Sequence, residues 1–237
     1  MKKYLVVNAD DFGYAQGVNR GIIAAHEQGI VSSTSLMVDM PRADEAASLA
    51  KTYPSLGVGL HFTLTDDGGP MIDLDNMTVV ERELQRQYER CCALLGHPPT
   101  HIDSHHHVHL RKELEPLFGA WATKLGLPVR GLGTVHYNGG FYGHWYDEEW
   151  RPHPAQELIS VENLEEILRG LPAGATELAC HPAYLSEDLQ SSYAAEREIE
   201  LATLLHPRIP MVMRELNITL VNYSTLPKEA TKIPGAA

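Results

Sequence analysis

Short apolar runs alternate with amphipathic stretches along most of the chain, and this alternation constrains the fold more than any other sequence feature. The apolar runs end at loop residues, which is typical of buried strands. Between them, apolar residues recur every three or four positions, as they do on one face of a helix. About seven strands alternating with helices predict a parallel α/β sheet, either closed as a barrel or open and doubly wound.

The predicted strands cover residues 4–7, 33–38, 56–64, the start of 101–109, 127–132, 177–180 and 218–223. A chain of 237 residues fits one large domain, so we expect residues 1–237 to form a single domain. The tail from about residue 225 contains Pro, Lys and Gly and is expected to be frayed.

Residues 139–154 interrupt the alternation with a segment rich in aromatic side chains, concentrated in residues 141–150. A loop of this length in a compact domain is usually functional or disordered, and its aromatic content argues against disorder. Three interpretations remain equal for this aromatic loop: a hydrophobic lid on the barrel, a dimer contact, or a surface on which sugars stack.

The net charge limits the class of binding partner, and the cysteine content indicates the cellular compartment. The formal net charge of −12 argues against binding to nucleic acid or to anionic membranes, because both require basic patches. The first apolar run is too short for a signal-peptide core or a membrane span, so we expect neither. The odd count of three cysteines, Cys91, Cys92 and Cys180, disfavours a disulfide framework and predicts a reducing, cytoplasmic setting.

The segment 101–109 contains five of the 13 histidines of the chain. Imidazole is the commonest transition-metal ligand, and each ring has two nitrogens that need partners. If this segment is extended, His101, Asp103 and His105 point to one face, where a carboxylate between two imidazoles could bind a metal. The alternative is a histidine-rich loop without a ligand.

Polar residues follow five of the predicted strands. They are Asp10, Asp11, His61, Asp103, His105, Arg130 and His181. In parallel α/β folds, ligands and chemistry are found at the carboxyl ends of the strands, so these residues are expected to share one rim.

Each rim residue also has a structural interpretation that the sequence leaves open. The two aspartates could cap the following helix, and His61 could be a hydrogen-bonded core histidine. His181, which precedes a proline, could be a turn residue, and Arg130 could be a structural ion-pair partner.

A rim of this composition favours metal-assisted hydrolysis. One aspartate and two histidines with open positions form a hydrolytic metal site, in which the metal acidifies a water and polarises a carbonyl. A second aspartate can accept the proton of the water, and a histidine can donate one to a leaving amine. No Gly-x-Ser-x-Gly elbow or His-Glu-x-x-His helix suggests another hydrolytic site, and no Gly-x-Gly-x-x-Gly loop supports a dinucleotide site.

Four motifs together resemble the YdjC-like carbohydrate deacetylases, the family that includes chitooligosaccharide deacetylase. They are Asn-Ala-Asp-Asp-Phe-Gly at 8–13, His61, Thr-His-Ile-Asp-Ser-His-His-His-Val-His at 100–109, and Cys-His-Pro at 180–182. The resemblance implies a distorted (β/α) barrel of the polysaccharide-deacetylase kind, a homodimer, and a divalent metal, usually magnesium. It also implies removal of the N-acetyl group from an N-acetylglucosamine unit of a short oligosaccharide such as diacetylchitobiose.

The resemblance also implies a role for each matching position. The implied metal ligands are Asp11, His61 and His105. Asp10 would be the general base, His181 the general acid, and Arg130 would orient Asp10 through an ion pair. By ligand softness alone zinc would come first, and the same ligands also accept manganese, cobalt or magnesium.

Two other functions remain open from the residues. One is a metal-dependent hydrolase of another bond, such as a phosphoester, although phosphate sites usually recruit several Lys or Arg residues and the rim offers Arg130 alone. The other is a non-catalytic, sugar-binding or metal-binding regulatory protein on the same scaffold. A binding protein would not need Asp10, so the presence of Asp10 favours an enzyme.

Overall fold

The computed structural model describes residues 2–149 and 151–231, with the backbone alone for 229 and 231. Its helices are α1 Gln16–Gln28, α2 Ala43–Thr52, α3 Met77–Leu95, α4 Glu115–Leu125, α5 Val161–Gly170, α6 Ala194–Leu204 and α7 Arg208–Glu215. Its strands are β1 Lys3–Phe12, β2 Ser33–Leu36, β3 Gly57–Phe62, β4 Thr65–Asp66, β5 Gly69–Pro70, β6 Ile102–Ser104, β7 His136–Asn138, β8 His144–Tyr146, β9 Pro152–Pro154, β10 Gly174–Cys180 and β11 Ile218–Leu220.

Seven parallel strands form one curled sheet in the order β6-β3-β2-β1-β10-β7, with β11 also paired to β1. One edge of β1 is shared, because β11 pairs with its first residues and β2 with its last. Strands β2 and β3 are buried along their whole length, as expected where helices cover a parallel sheet. The predicted distorted (β/α) barrel is therefore confirmed, in the form of an open half-barrel.

The predicted fifth strand over residues 127–132 is wrong. Only isolated bridges connect Val129 to Ile102 and to Leu132. Gly131 and Gly133 both have positive φ angles, so the chain turns sharply here and cannot extend along β6. The seventh strand of the sheet is instead β7, which pairs with β10. Arg130 consequently lies in a turn beside the first residue of β6, and its backbone N–H donates to the carbonyl oxygen of Ile102 at 3.0 Å.

Helix α1 packs closely against the segment that follows β10. The side chains predicted to form its apolar stripe, Val18, Ile22 and Ala25, are all buried. A Cβ atom at Gly21 would overlap the backbone of Ala183, so only glycine allows this approach. The contact holds the chain next to His181, at the carboxyl end of β10.

The carboxyl-terminal residues that the structure describes pack against the sheet. Residues 225–231, which we predicted to be frayed, include a short 3-10 helix, Lys228–Thr231, and Ala230 is buried beside Tyr4 and Val6. The remainder of the predicted tail, 232–237, lies outside the described residues. Within the described ranges, no helix has both the length and the apolar character needed to span a membrane.

Substitution of Gly59 by alanine should destabilise the fold by about 1–3 kcal/mol, the usual effect of overpacking a core. The added Cβ would overlap the imidazole ring of His101, which is buried and stacked on Tyr223 at 4.2 Å. Urea denaturation would measure the change. Gly119→Ala is the matched control, because its added Cβ in α4 would have no heavy atom within 4 Å apart from the adjacent residues and the local backbone of the helix. Equal stability of the two variants would contradict this packing.

Candidate active site

An irregularity in β1 brings Asp10 and Asp11 to the same side of the sheet. We predicted that the strand ends before these residues, but it runs through them to Phe12. Its register with β2 shifts between Ala9 and Phe12, and Asp11 has a φ of 69°. Adjacent residues in a regular strand point to opposite faces, and a bulge can redirect one of them. Both carboxylates can therefore reach one cavity.

Asp11, His61 and His105 form a compact group of potential metal ligands. Their three donor atoms lie within 4.8 Å of one another. Oδ1 of Asp11 is 3.4 Å from Nε2 of His61 and 3.2 Å from Nδ1 of His105. This oxygen is buried and has no hydrogen-bond partner among the described residues, which is costly unless a cation binds it. One carboxylate and two imidazoles fit a divalent metal.

Asp103 holds His61 in the orientation that this group needs. Nδ1 of His61 donates to Oδ1 of Asp103 at 2.8 Å, which leaves Nε2 directed at Asp11. Metal-binding histidines typically donate their second nitrogen to a carboxylate in this way. Burial lowers the pKa of His61, but Asp103 and Asp11 outweigh it and raise that pKa to about 10. The site is thus electrostatically prepared for a positive charge.

Two further groups of carboxylates and imidazoles are less suited to a metal. In the group Asp10, His61 and Asp103, Asp103 already accepts hydrogen bonds from His61 and from Ser35 and lies 2.7 Å from Arg130. In the group Asp67, His105 and His106, the Asp67 side chain is 73% exposed, so water competes for its charge. The Asp11 group remains the best candidate.

Arg130 lies at the centre of a buried network inside the curve of the sheet. Its guanidinium donates to both carboxylate oxygens of Asp10, at 2.6 and 2.7 Å, and its Nε donates to Glu177 at 2.8 Å. It also lies 2.7 Å from Asp103. Burial raises the pKa of Asp10, but the charge and hydrogen bonds of Arg130 lower it overall, so Asp10 stays ionised. Turn residue Arg130 thereby joins β1, β6 and β10.

His181 faces Asp10 from the end of β10. Its Nε2 lies 3.9 Å from Oδ2 of Asp10. Its Nδ1 lies 3.8 Å from Glu200, whose other carboxylate oxygen accepts the backbone N–H of His181 at 2.5 Å. Burial lowers the pKa of His181, but the negative charge of Glu200 raises it overall. The imidazole is therefore favoured in its protonated form, as a proton donor must be.

Helix α6 contributes two charged residues that were not predicted from the sequence. Glu200 contacts His181, and Nη2 of Arg197 donates to Oδ2 of Asp11 at 2.5 Å. Burial raises the pKa of Asp11, but Arg197, followed by His105 and His61, lowers it well below the usual range. The sequence did carry one signal: Arg197 and Glu200 lie four positions before the buried residues Leu201 and Leu204, so they share the apolar stripe of α6 rather than its exposed face.

The histidine segment divides between the site and the core. His101 is buried and stacks on Tyr223, and it is not among the residues that line the cavity or form the Asp11–His61–His105 group. The shared face expected for His101 and His105 required an extended segment, and the segment is not extended at His105. His109 is also buried, donating through Nε2 to the backbone oxygen of Arg130 and accepting from Ser104. The strand ends at Ser104, and a 3-10 turn begins at His105. The alternation of faces therefore stops inside the cluster.

The predicted site residues surround a cavity of about 570 Å³ at the carboxyl ends of the strands. Asp10, Asp11, His61, His105 and His181 all line it, whereas Arg130 supports Asp10 from below. One wall is aromatic and consists of Tyr142, His144, Tyr146 and Tyr193. A cavity of about 680 Å³ at the amino-terminal ends of β2 and β3 is lined by none of these residues. The smaller cavity is the candidate active site.

Comparisons with known proteins agree over nearly the whole chain. A family model for YdjC-like proteins matches residues 4–215. The chain is 36% identical over 266 residues to a chitooligosaccharide deacetylase from Serratia marcescens, covering 95% of this chain and 100% of that protein. A solved structure from Enterococcus faecalis V583, named for the cleavage of cellobiose phosphate, is 29% identical with a TM-score of 0.81, covering 94% of this chain and 98% of that one.

A more distant solved structure shows the same fold. It is a family 4 carbohydrate esterase from Streptomyces lividans in complex with acetate. It is 16% identical to this chain, with a TM-score of 0.56, and the match covers 92% of this chain and 91% of the esterase. The fold is thus of the polysaccharide-deacetylase kind, as predicted.

Proposed function

The chain belongs to the YdjC-like family, and we propose that it is a metal-dependent deacetylase of short N-acetylated oligosaccharides. In the proposed reaction, water hydrolyses the amide of an N-acetylglucosamine unit, as in diacetylchitobiose, and acetate is released. The observation that carries this proposal is the convergence of Asp10, His181 and the Asp11–His61–His105 group on one cavity.

Asp11, His61 and His105 would hold the divalent metal. When bound there, a metal polarises the amide carbonyl and makes a water more acidic. The resemblance to the family favours magnesium, whereas two imidazole ligands would also suit zinc, manganese or cobalt. Arg197 and Asp103 fix the two ligands that they contact, Asp11 and His61.

Asp10 and His181 would move the protons. Asp10 is ionised because of Arg130, so it can accept a proton from the attacking water as a general base. His181 would donate a proton from Nε2 to the amide nitrogen as the C–N bond breaks. This step releases the sugar as an amine and the acetyl group as acetate. Both groups line the same cavity, 3.9 Å apart at their closest atoms.

The cavity favours a neutral amide over a phosphoester. Arg197 is the one Lys or Arg side chain among the described residues that line the cavity, and it already donates to Asp11. Phosphate sites usually present several such donors. The two reactions are distinguished by measuring acetate release from diacetylchitobiose and phosphate release from phosphorylated sugars with the same protein. Phosphate release without acetate release would overturn the proposed deacetylase function in favour of phosphoester hydrolysis.

Three finer expectations belong to the same proposal. We propose that residues 1–237 act as one domain, that the enzyme is a homodimer, and that it works in the cytoplasm. The first rests on chain length, the second on the resemblance to the family, and the third on the odd cysteine count. Each stays a prediction.

Substitution of Glu200 by glutamine should shift the alkaline limb of the pH–rate profile to lower pH. His181 must be protonated to donate, so activity falls as pH rises through its pKa. Glu200 raises that pKa, and the neutral amide of glutamine would not. The measurement is kcat against pH for acetate release. An unchanged alkaline limb would show that Glu200 does not tune His181 or that His181 is not the acid.

A further inference from the structure

The aromatic loop, for which the sequence left three interpretations, forms a hairpin of β8 and β9 beside the cavity. Residue Trp150 lies outside the described residues. Because side chains alternate along a strand, neighbouring residues of β8 face different environments. His144 and Tyr146 line the cavity. Trp145 is not among the lining residues and stacks on His153 of β9 at 4.5 Å.

His181 fixes the side of the cavity on which the sugar must lie. If Nε2 of His181 donates to the leaving nitrogen, the sugar carbon bonded to that nitrogen lies next to His181. The rings nearest to His181 are Tyr142, at 5.4 Å, and Tyr193, at 5.8 Å, and these two tyrosines stack on each other. In the proposed reaction, the sugar unit that carries the reacting amide would therefore lie beside Tyr142 and Tyr193.

Tyr146 lies one side chain farther out along the same wall. Its hydroxyl is 3.4 Å from the hydroxyl of Tyr142, so Tyr146 adjoins the ring that lies 5.4 Å from His181. Tyr146 is 46% exposed, and its cross-strand neighbour Pro152 also lines the cavity. Tyr146 and Pro152 together form an apolar surface at the mouth, beyond the position of the reacting sugar.

We propose that the Tyr146–Pro152 pair is the binding platform for the second sugar unit of the substrate. Tyrosine offers a rigid, partly apolar surface that loses little conformational entropy on binding. The platform would make the enzyme favour oligosaccharides over N-acetylglucosamine itself. This inference rests on the proposed deacetylase function and adds the residues that select chain length.

The test compares Tyr146→Ala with Trp145→Ala, neighbours on one strand that face opposite sides. Tyr146→Ala should raise KM for diacetylchitobiose by about tenfold, because the second sugar would no longer cover part of an aromatic ring and remove it from water. The value of kcat should change far less. Inhibition by N-acetylglucosamine, which lacks the second unit, should weaken by less than about twofold. Trp145→Ala should leave the KM for diacetylchitobiose unchanged, and thermal melting would confirm that both variants fold.

The outcomes separate this inference from the proposed function. A wild-type protein that releases no acetate from any N-acetylated sugar overturns the proposed function, and the platform with it. An active wild type whose KM is unaffected by Tyr146→Ala overturns the platform alone. A KM raised equally by Trp145→Ala also overturns it, because the hairpin would then act as a whole, for example as a contact between subunits.

Discussion

Substitution of Asp10 by asparagine is expected to lower kcat for acetate release by about 10²–10⁴-fold, the usual contribution of general acid–base catalysis. Asparagine keeps the shape of the side chain but cannot accept the proton of the attacking water. The protein should still bind metal, because Asp11, His61 and His105 remain in place. Steady-state kinetics together with the metal content of the same sample would measure both effects.

His61→Ala is the contrasting variant. It removes one member of the Asp11–His61–His105 group, so metal affinity and activity should fall together. Full activity of the Asp10→Asn protein would show that another group is the base. Loss of metal from Asp10→Asn, equal to the loss from His61→Ala, would instead place Asp10 among the ligands.

Substitution of Arg130 by methionine should cost about 3–5 kcal/mol of folding stability at neutral pH, because it leaves buried charges without a partner. The guanidinium is fully buried and lies within 2.8 Å of three carboxylates, Asp10, Asp103 and Glu177. Methionine fills a similar length with an apolar chain and supplies no charge. The free energy of unfolding, measured in urea, would report the loss.

The effect of Arg130→Met should also depend on pH. In the wild type, the pKa of Asp10 and that of Asp103 are lowered despite burial, mainly by Arg130, so their ionised forms stabilise the fold above about pH 4 and that contribution is lost as pH falls. The difference between wild type and variant should therefore shrink in acid. Arg208→Met is the matched control, since Arg208 is half exposed in its pairs with Glu162 and Glu165 and should change stability by at most about 1 kcal/mol. Equal stability of the two variants at neutral pH would contradict the role of Arg130.

Sequence patterns located the sheet because buried parallel strands read as apolar runs. They could not predict the backbone conformation around Arg130, because the apolar residues beside it are typical of a strand, whereas the chain turns at Gly131 and Gly133. The bulge at Asp11 was equally hidden, since the local sequence Asn-Ala-Asp-Asp-Phe-Gly is also typical of a loop after a strand. In both places the backbone angle, rather than hydrophobicity, decides where the side chain points.

Buried charges on a helix were the second feature that the sequence did not reveal. Arg197 and Glu200 contact Asp11 and His181, yet charged residues on a helix normally face water. Such residues become buried only when they meet a partner from another element, and a single sequence does not contain that pairing. The site residues at the strand ends could be predicted from the sequence, because the topology of a parallel sheet places all of them at one rim.

The most direct measurement is acetate release from diacetylchitobiose by protein that has been stripped with a chelator and then supplied with magnesium, zinc, manganese or cobalt in turn. The metal content of each sample would be determined in parallel. We expect stripped protein to be inactive and at least one metal to restore acetate release as it binds, at one ion per chain. Undiminished acetate release from protein shown to contain no metal would contradict the proposed metal-dependent deacetylase.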